Sequence, residues 1–333
     1  MRNIWSPQSF QGAAKRRRYF EGWYFKQSGG PIEGVWSFIP GIALGDSLEH
    51  SHSFVQVIEG KTGKSWWFEY PRDSFWASES GLQIRVGGNT FSQEGLSVDL
   101  DNGVSRISGS FTFGALTTIK FPPWSPGVMG PFSFIPGMEC SHGLVSLDHT
   151  VRGGIEIDGR KVVIDDGRGY IEKDWGTSMP ESWIWMQSND FSRRGDSVML
   201  SVAKIPWMGS FFVGFLCVAS LNGEKKVFAS YNRSRIEALS ADDSKVGCTI
   251  FRKLGREIEE RIEFRATRSR GGILRAPVAG SMSRRISEAV DATIQVTLKR
   301  GGSKIYEAES PLAGLETAGN VEDMIAAYQS KVK

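Results

Sequence analysis

Residues 169–189, GYIEKDWGTSMPESWIWMQSN, crowd Glu172, Lys173, Asp174, three tryptophans and Gln187 into one short stretch. On a β-strand, side chains alternate between faces, so Tyr170, Glu172 and Asp174 share one face and Ile171, Lys173 and Trp175 the other. Carboxylates two positions apart on a strand lie roughly 7 Å from each other. In a poorly hydrated cavity both cannot ionise cheaply, and one becomes a carboxylic acid near neutral pH. The same parity aligns Trp183, Trp185 and Gln187. Two indole faces ending in an amide suit a flat or unsaturated ligand, or a developing cation, so both indoles are expected to line a ligand cavity. The competing reading is an exposed ion-pair cluster beside a buried tryptophan.

The histidines add one candidate. His50 and His52 could share a face, but no third ligand stands nearby. In ECSHGLVSLDH, His142 and His149 are an odd number apart, so a regular strand sends them to opposite faces and a shared metal needs a bulge. The expectation is therefore no metal. His142, with Glu139 near it, reads as a polar contact or proton acceptor inside the cavity. The sequence contains no GxSxG elbow, HExxH, P-loop, or GxGxxG following a strand.

These groups need elements to hold them. Glycine, with 39 residues, punctuates short alternating segments such as FVQVIEG, LQIRVGG, LSVDLDNG and GIEIDGRKVVIDDG, each reading as a strand ending in a tight turn. Many short antiparallel strands without βαβ alternation predict an all-β protein of barrels or sandwiches. Helical periodicity appears only in NVEDMIAAYQSKV, with Asn320 as its N-cap. The segment FPPWSPGVMGPFSFIPGM (121–138) carries five prolines and cannot be a central strand. It predicts a boundary, giving units 1–137 and 138–333. Its aromatic and methionine side chains make it either a loop packed at an interface or an apolar lid over a cavity. EGWYF (21–25) echoes DWGTSMPESWIW (174–185), and Gln56 in HSFVQV echoes Gln187 in WIWMQ. The echo brings Trp23, Tyr24 and Gln56 into the candidate binding set.

Composition narrows the partners. Forty Lys and Arg against 37 Asp and Glu leave a net charge of +3, with no basic stripe to suggest nucleic acid. KRRRYFEGW (15–23) reads as a solvated turn. Three scattered cysteines, Cys140, Cys217 and Cys248, point to reduced thiols in a cytosolic setting. The N-terminus lacks the apolar core of a signal peptide, and FFVGFLCVASL (211–221) is about half a membrane span. The expectation is a soluble, cytoplasmic protein.

With these residues in view, the chain resembles the tocopherol cyclase family. The resemblance rests on YFEGWYFK (19–26), WSFIPGIALGD (36–46) followed by HSFVQV (52–57), and MGPFSFIPGMECSHGLVSLDH (129–149). It continues through the opening stretch and ends in LAGLETAG (312–319). More distantly, the chain is similar to carotenoid 1,2-hydratases and other two-domain lipocalin-like proteins. The resemblance implies two tandem lipocalin-like domains that close a chromanol ring on a prenylated hydroquinone. A protein acid protonates an alkene and the phenolic oxygen captures the tertiary cation, with no metal or redox cofactor. For that chemistry the shared face puts Asp174 forward as proton donor with Glu172 tuning its pKa, the alternatives being that Glu172 holds the proton or that the acid is Glu21 or Glu139, and His142 is a polar contact or proton acceptor. Trp23, Tyr24, Gln56, Glu139, Tyr170, Trp183, Trp185 and Gln187 would contact a hydrophobic prenylated substrate, taken up at a membrane surface through segment 121–138. A prenyl-lipid carrier and an isoprenoid alkene hydratase are the alternatives.

Overall fold

The computed structural model describes residues 3–255 and 258–332. Nearly every glycine-bounded segment forms a strand, and the strands of the first sheet pair antiparallel throughout. The first eleven strands are β1 Tyr19–Ser28, β2 Val35–Leu44, β3 His52–Glu59, β4 Ser65–Pro71, β5 Phe75–Ala77, β6 Gln83–Val86, β7 Asn89–Ser92, β8 Gly95–Asp101, β9 Arg106–Phe113, β10 Cys140–Ile157 and β11 Arg160–Gly176. They make one sheet in the order β4-β3-β2-β1-β11-β10-β9-β8-β7-β6-β5, which curls until β6 packs on β2 and β3. Its interior holds Trp23, Phe25, Trp36, Phe38, Phe68, Phe111 and Ile171.

The remaining strands are β12 Trp183–Ser188, β13 Ser197–Trp207, β14 Ser210–Leu221, β15 Glu224–Ala229, β16 Arg235–Ala241, β17 Lys245–Leu254, β18 Ile258–Thr267, β19 Gly272–Val278, β20 Ser281–Arg300 and β21 Ser303–Ala318. They form a second sheet, β15-β14-β13-β12-β21-β20-β18-β17-β16, with β19 paired to β20. The apolar run at 211–221 is β14, a core strand. The helix Val321–Val332 forms where its periodicity places it, and the Asn320 side chain accepts the Asp323 backbone N–H, so Asn320 is the N-cap. Met324 and Ile325 of this helix pack into the second core. No helix among the described residues is long and apolar enough to cross a membrane.

The boundary differs from the expected 137/138. One unit comprises Met1–Glu59, Lys64–Met179 and Ile273–Arg285, and the other Gly60–Gly63, Pro180–Gly272 and Ile286–Lys333. Segment 121–138 is irregular apart from a short 3-10 turn at Gly130–Phe134, as its prolines require. It does not divide the units, because β10 and β11 beyond it pair back to β9 and β1. Outer strands such as β8 alternate buried and exposed residues, whereas β1 and the second half of β11, from Gly167 on, are buried on both faces. The candidate chemistry sits on those central strands.

Candidate functional site

Register brings the site together. Across β10 and β11, His142 lies opposite Asp174, and across β1 and β11, Tyr24 lies opposite Glu172 and Gly22 opposite Asp174. Directly opposed residues share a sheet face, so Tyr24, His142, Tyr170, Glu172 and Asp174 share the face turned away from Trp23, Phe25 and Ile171. The parity expected for Tyr170, Glu172 and Asp174 is the observed one. The strand's end is shaped by Gly176, where a Cβ would stand 2.1 Å from the Glu139 carbonyl oxygen. That carbonyl accepts the Thr177 N–H, which turns the chain out of β11.

His142 is held between the two carboxylates. Its Nδ1 lies 2.9 Å from Asp174 Oδ1, and its Nε2 lies 3.4 Å from Glu172 Oε2, an ion-pair distance without hydrogen-bond geometry. Tyr170 donates its hydroxyl proton to the same Glu172 oxygen at 2.6 Å. Burial alone would lower the imidazole's pKa, but Asp174 and then Glu172 outweigh it, so His142 titrates well above its ordinary value. Burial, reinforced by Glu172, likewise pushes the Tyr170 phenol well up, so it remains a donor. The Cys140 thiol, raised by burial and by Asp174, lies 3.8 Å from Asp174 Oδ1. Asp174 is the most open member, its side chain 26 % exposed against 11 % for His142. Beside it Gly22 leaves room, since a Cβ there would meet nothing closer than 3.9 Å.

The ligand atoms of His142, Glu172 and Asp174 lie within 4.8 Å of one another, close enough to hold a cation. Their arrangement suits a proton better. The two carboxylates face different nitrogens of one ring, so an ion on Nε2 would reach Glu172 while Asp174 stayed bonded to Nδ1. His149 plays a separate part. β10 is irregular between Leu144 and His149, yet His149 meets Ser146 rather than His142. Ser146 donates to the Asp148 carbonyl, so its oxygen accepts from His149 Nδ1–H. Burial pulls this imidazole down to about 3, keeping it neutral. The ring lies over Gly169, where a Cβ would stand 2.1 Å from Nε2.

The opposite face of β11 holds a second buried charge cluster. Lys173 pairs with Glu21 at 2.5 Å, both completely buried, and also donates to the Ser9 carbonyl. Its ammonium lies 4.7 Å from the ring centroids of both Trp23 and Trp175. Glu21 accepts from the Tyr19 hydroxyl and from the Gln11 backbone N–H. Burial lowers the Lys173 pKa, and Glu21 opposes that shift.

The other expected residues divide. Tyr24 joins the His142 face, its hydroxyl accepting from Ser37 at 2.8 Å, whereas Trp23 belongs to the interior and donates to the Gln8 carbonyl. Gln56 has both amide ends engaged by the backbone of Arg275, at 3.0 and 2.7 Å, so it ties strands together. Glu139 contributes through its carbonyl at the Gly176 turn. Trp183, Trp185 and Gln187 do share a face in the second unit, opposite core residues Ile184 and Met186, and both tryptophans are buried. Trp183 donates to Glu316 at 2.7 Å, and the Trp185 ring lies where a Gly314 Cβ would be. Sequence reasoning did not foresee the Lys173–Glu21 pair.

The sequence matches the family described as tocopherol cyclase-like over residues 127–319. A chloroplastic protein of Oryza sativa subsp. japonica, described as a probable tocopherol cyclase, is 24 % identical over 256 residues, covering 61 % of this chain and 53 % of that protein. The chloroplastic tocopherol cyclase of Zea mays is 23 % identical over 257 residues, with the same coverage. The chain thus spans about half the length of these curated relatives. Among solved structures, an AttH-type protein of Nitrosomonas europaea gives a TM-score of 0.49 at 13 % identity, covering 91 % of this chain and 93 % of that one. Kievitone hydratase of Nectria haematococca gives 0.47 at 9 %, covering 90 % and 89 %. With more than half its length matched, and with the site strands β10 and β11 inside the matched region, the chain belongs to the tocopherol cyclase-like family.

Proposed function

We propose that this protein closes a ring on a prenylated hydroquinone by proton-initiated cyclisation, with the His142–Asp174 pair as the acid. The observation that carries the reading is one imidazole set between the buried Glu172 and the half-buried Asp174, two carboxylates that push its pKa well up. The two groups share one hydrogen bond and titrate together, so the proton belongs to the pair. Asp174, flanked by the space at Gly22, delivers it to an alkene carbon. The resulting tertiary cation is captured by the phenolic oxygen, whose proton returns to the pair, and the product is an isomer of the substrate. Delivery leaves a neutral His142 hydrogen-bonded to the Asp174 carboxylate, ready to take the phenol's proton back, while Glu172, fixed by Tyr170, holds His142 in place. Tyr24 and Tyr170 offer aromatic surface on the same face.

The substrate is apolar, and segment 121–138 suits uptake from a membrane surface. Trp124 is 76 % exposed and Phe134 is 50 % exposed in a stretch whose prolines prevent pairing. Incubation with prenylated benzoquinols and polyprenols, read by mass and chromatography, tests the reaction. A cyclised isomer keeps its mass. A product gaining water would make the protein a hydratase, and an unchanged ligand would make it a carrier.

A further inference from the structure

A cavity of about 440 Å³ lies within the first unit. Its floor includes Leu144 and Val145, two and three residues beyond His142 on β10. One wall is the irregular stretch after β9, with Leu116, Ile119 and Phe121. The other wall is the N-terminal arm, with Trp5, Pro7 and Gln8. A narrow crevice lined by Ser141, His142, Trp175 and Met129 shares Pro7, Pro126 and Gly127 with this cavity. Pro7 packs on the backbone beside His142, since a Cβ on Gly143 would lie 2.5 Å from it.

The arm that closes the cavity is firmly tied. The Gln8 carbonyl accepts from Trp23, the Ser9 carbonyl from Lys173, and the Gln11 N–H donates to Glu21. At its outer end, Trp5 donates to the Pro123 carbonyl and meets Phe134 edge-on at 6.2 Å. The buried Lys173–Glu21 pair is therefore the anchor of a cavity wall, and the exposed Trp5 and Phe134 stand at its outer side.

We infer that this cavity is the binding site for the prenyl tail of the ligand whose reacting end lies at His142, so that the arm and the 114–121 stretch set tail length. The inference rests on the cyclisation reading for the position of the reacting end, and on the cavity for the tail. Leu82, Leu116, Ile119, Phe121, Leu144 and Val145 offer apolar surface for an aliphatic chain, with Gln8, Gln93, Thr118 and Lys120 also in the lining, and the walls shared with the His142 crevice make head and tail parts of one molecule. Ile119, half-buried in an irregular segment, is the place to fill the cavity without disturbing a strand.

The test compares hydroquinones bearing one, two or four isoprene units, with binding followed by calorimetry and turnover by chromatography. Ile119→Trp should weaken binding of the four-unit compound at least about tenfold and leave the one-unit compound nearly unchanged, the pattern expected when buried methylenes are excluded. Leu116→Trp gives the same comparison if the first variant melts early. Equal effects on short and long tails, or none, overturn the tail site. If no compound turns over but the tail-length effect on binding persists, the tail site stands and the cyclisation reading falls. If Asp174→Asn abolishes turnover while Ile119→Trp is indifferent to tail length, the reverse holds.

Discussion

The two faces of β11 each bury an ion cluster, and they differ in how completely it is satisfied. On one, Lys173 and Glu21 are sealed from solvent and engaged by a carbonyl, a backbone amide, a phenol and two indole rings. On the other, His142 bonds Asp174 through Nδ1 and meets Glu172 only at the longer distance of 3.4 Å through Nε2, and Asp174 stays partly open beside a glycine. A sealed pair has no proton to exchange and serves as an anchor. An incompletely satisfied cluster that holds a proton near solvent has the makings of an acid. One strand of alternating side chains thus separates architecture from chemistry.

The largest effect should come from the sealed face. Lys173→Ala leaves Glu21 buried without its counter-charge and should cost about 3–5 kcal/mol, the usual penalty for breaking a buried pair from one side. Urea denaturation measures it, and a loss under about 1 kcal/mol would mean that the pair is not an anchor. On the open face the pattern inverts. Asp174→Asn and His142→Gln should each reduce turnover at least about a hundredfold, the scale of lost general-acid catalysis, while denaturation midpoints move far less than for Lys173→Ala.

The parity of Tyr170, Glu172 and Asp174 was legible in the sequence because strand alternation is a local property. So was the Asn320 cap, whose donor lies three residues away. Register is not local. Nothing in GYIEKDW says that its neighbour is YFEGWYF, some 150 positions earlier in the chain, yet that pairing sets Glu21 against Lys173 and Tyr24 against Glu172. The same blindness misplaced the boundary, because a proline-rich loop looks like a linker unless the strands beyond it are known to return. Gln56 looked like a ligand group because its partner, the Arg275 backbone, lies 219 residues away.

The two histidines of β10 sharpen the comparison through pH. His142, raised in the folded state, adds stability that is fully present below its unfolded value of about 6.5 and is lost as pH rises through its folded value. His149, depressed to about 3, adds stability that is present above about 6.5 and fades as pH falls toward 3. Stability should therefore decline on both sides of neutrality. In denaturation midpoints taken from pH 4 to 9, roughly spanning both windows, His142→Gln should flatten the alkaline side and His149→Gln the acidic side. Interchanged effects would refute the assignment.

The smallest effect concerns the surface. Trp124→Ser with Phe132→Ser should weaken association with liposomes and barely change the melting temperature, because Trp124 is largely exposed. Unfolding of the double variant would instead mark the segment as packing.

The account's central claim is that the His142–Asp174 pair gives a proton to carbon. Running the reaction on a prenylated hydroquinone in heavy water, then exchanging the hydroxyls back in ordinary water, reads this directly. The account predicts a cyclised product retaining one deuterium at the former alkene carbon, formed by the native protein and at least about a hundredfold more slowly by Asp174→Asn and His142→Gln. A cyclised product without carbon-bound deuterium, or variants that label it at the native rate, would contradict it.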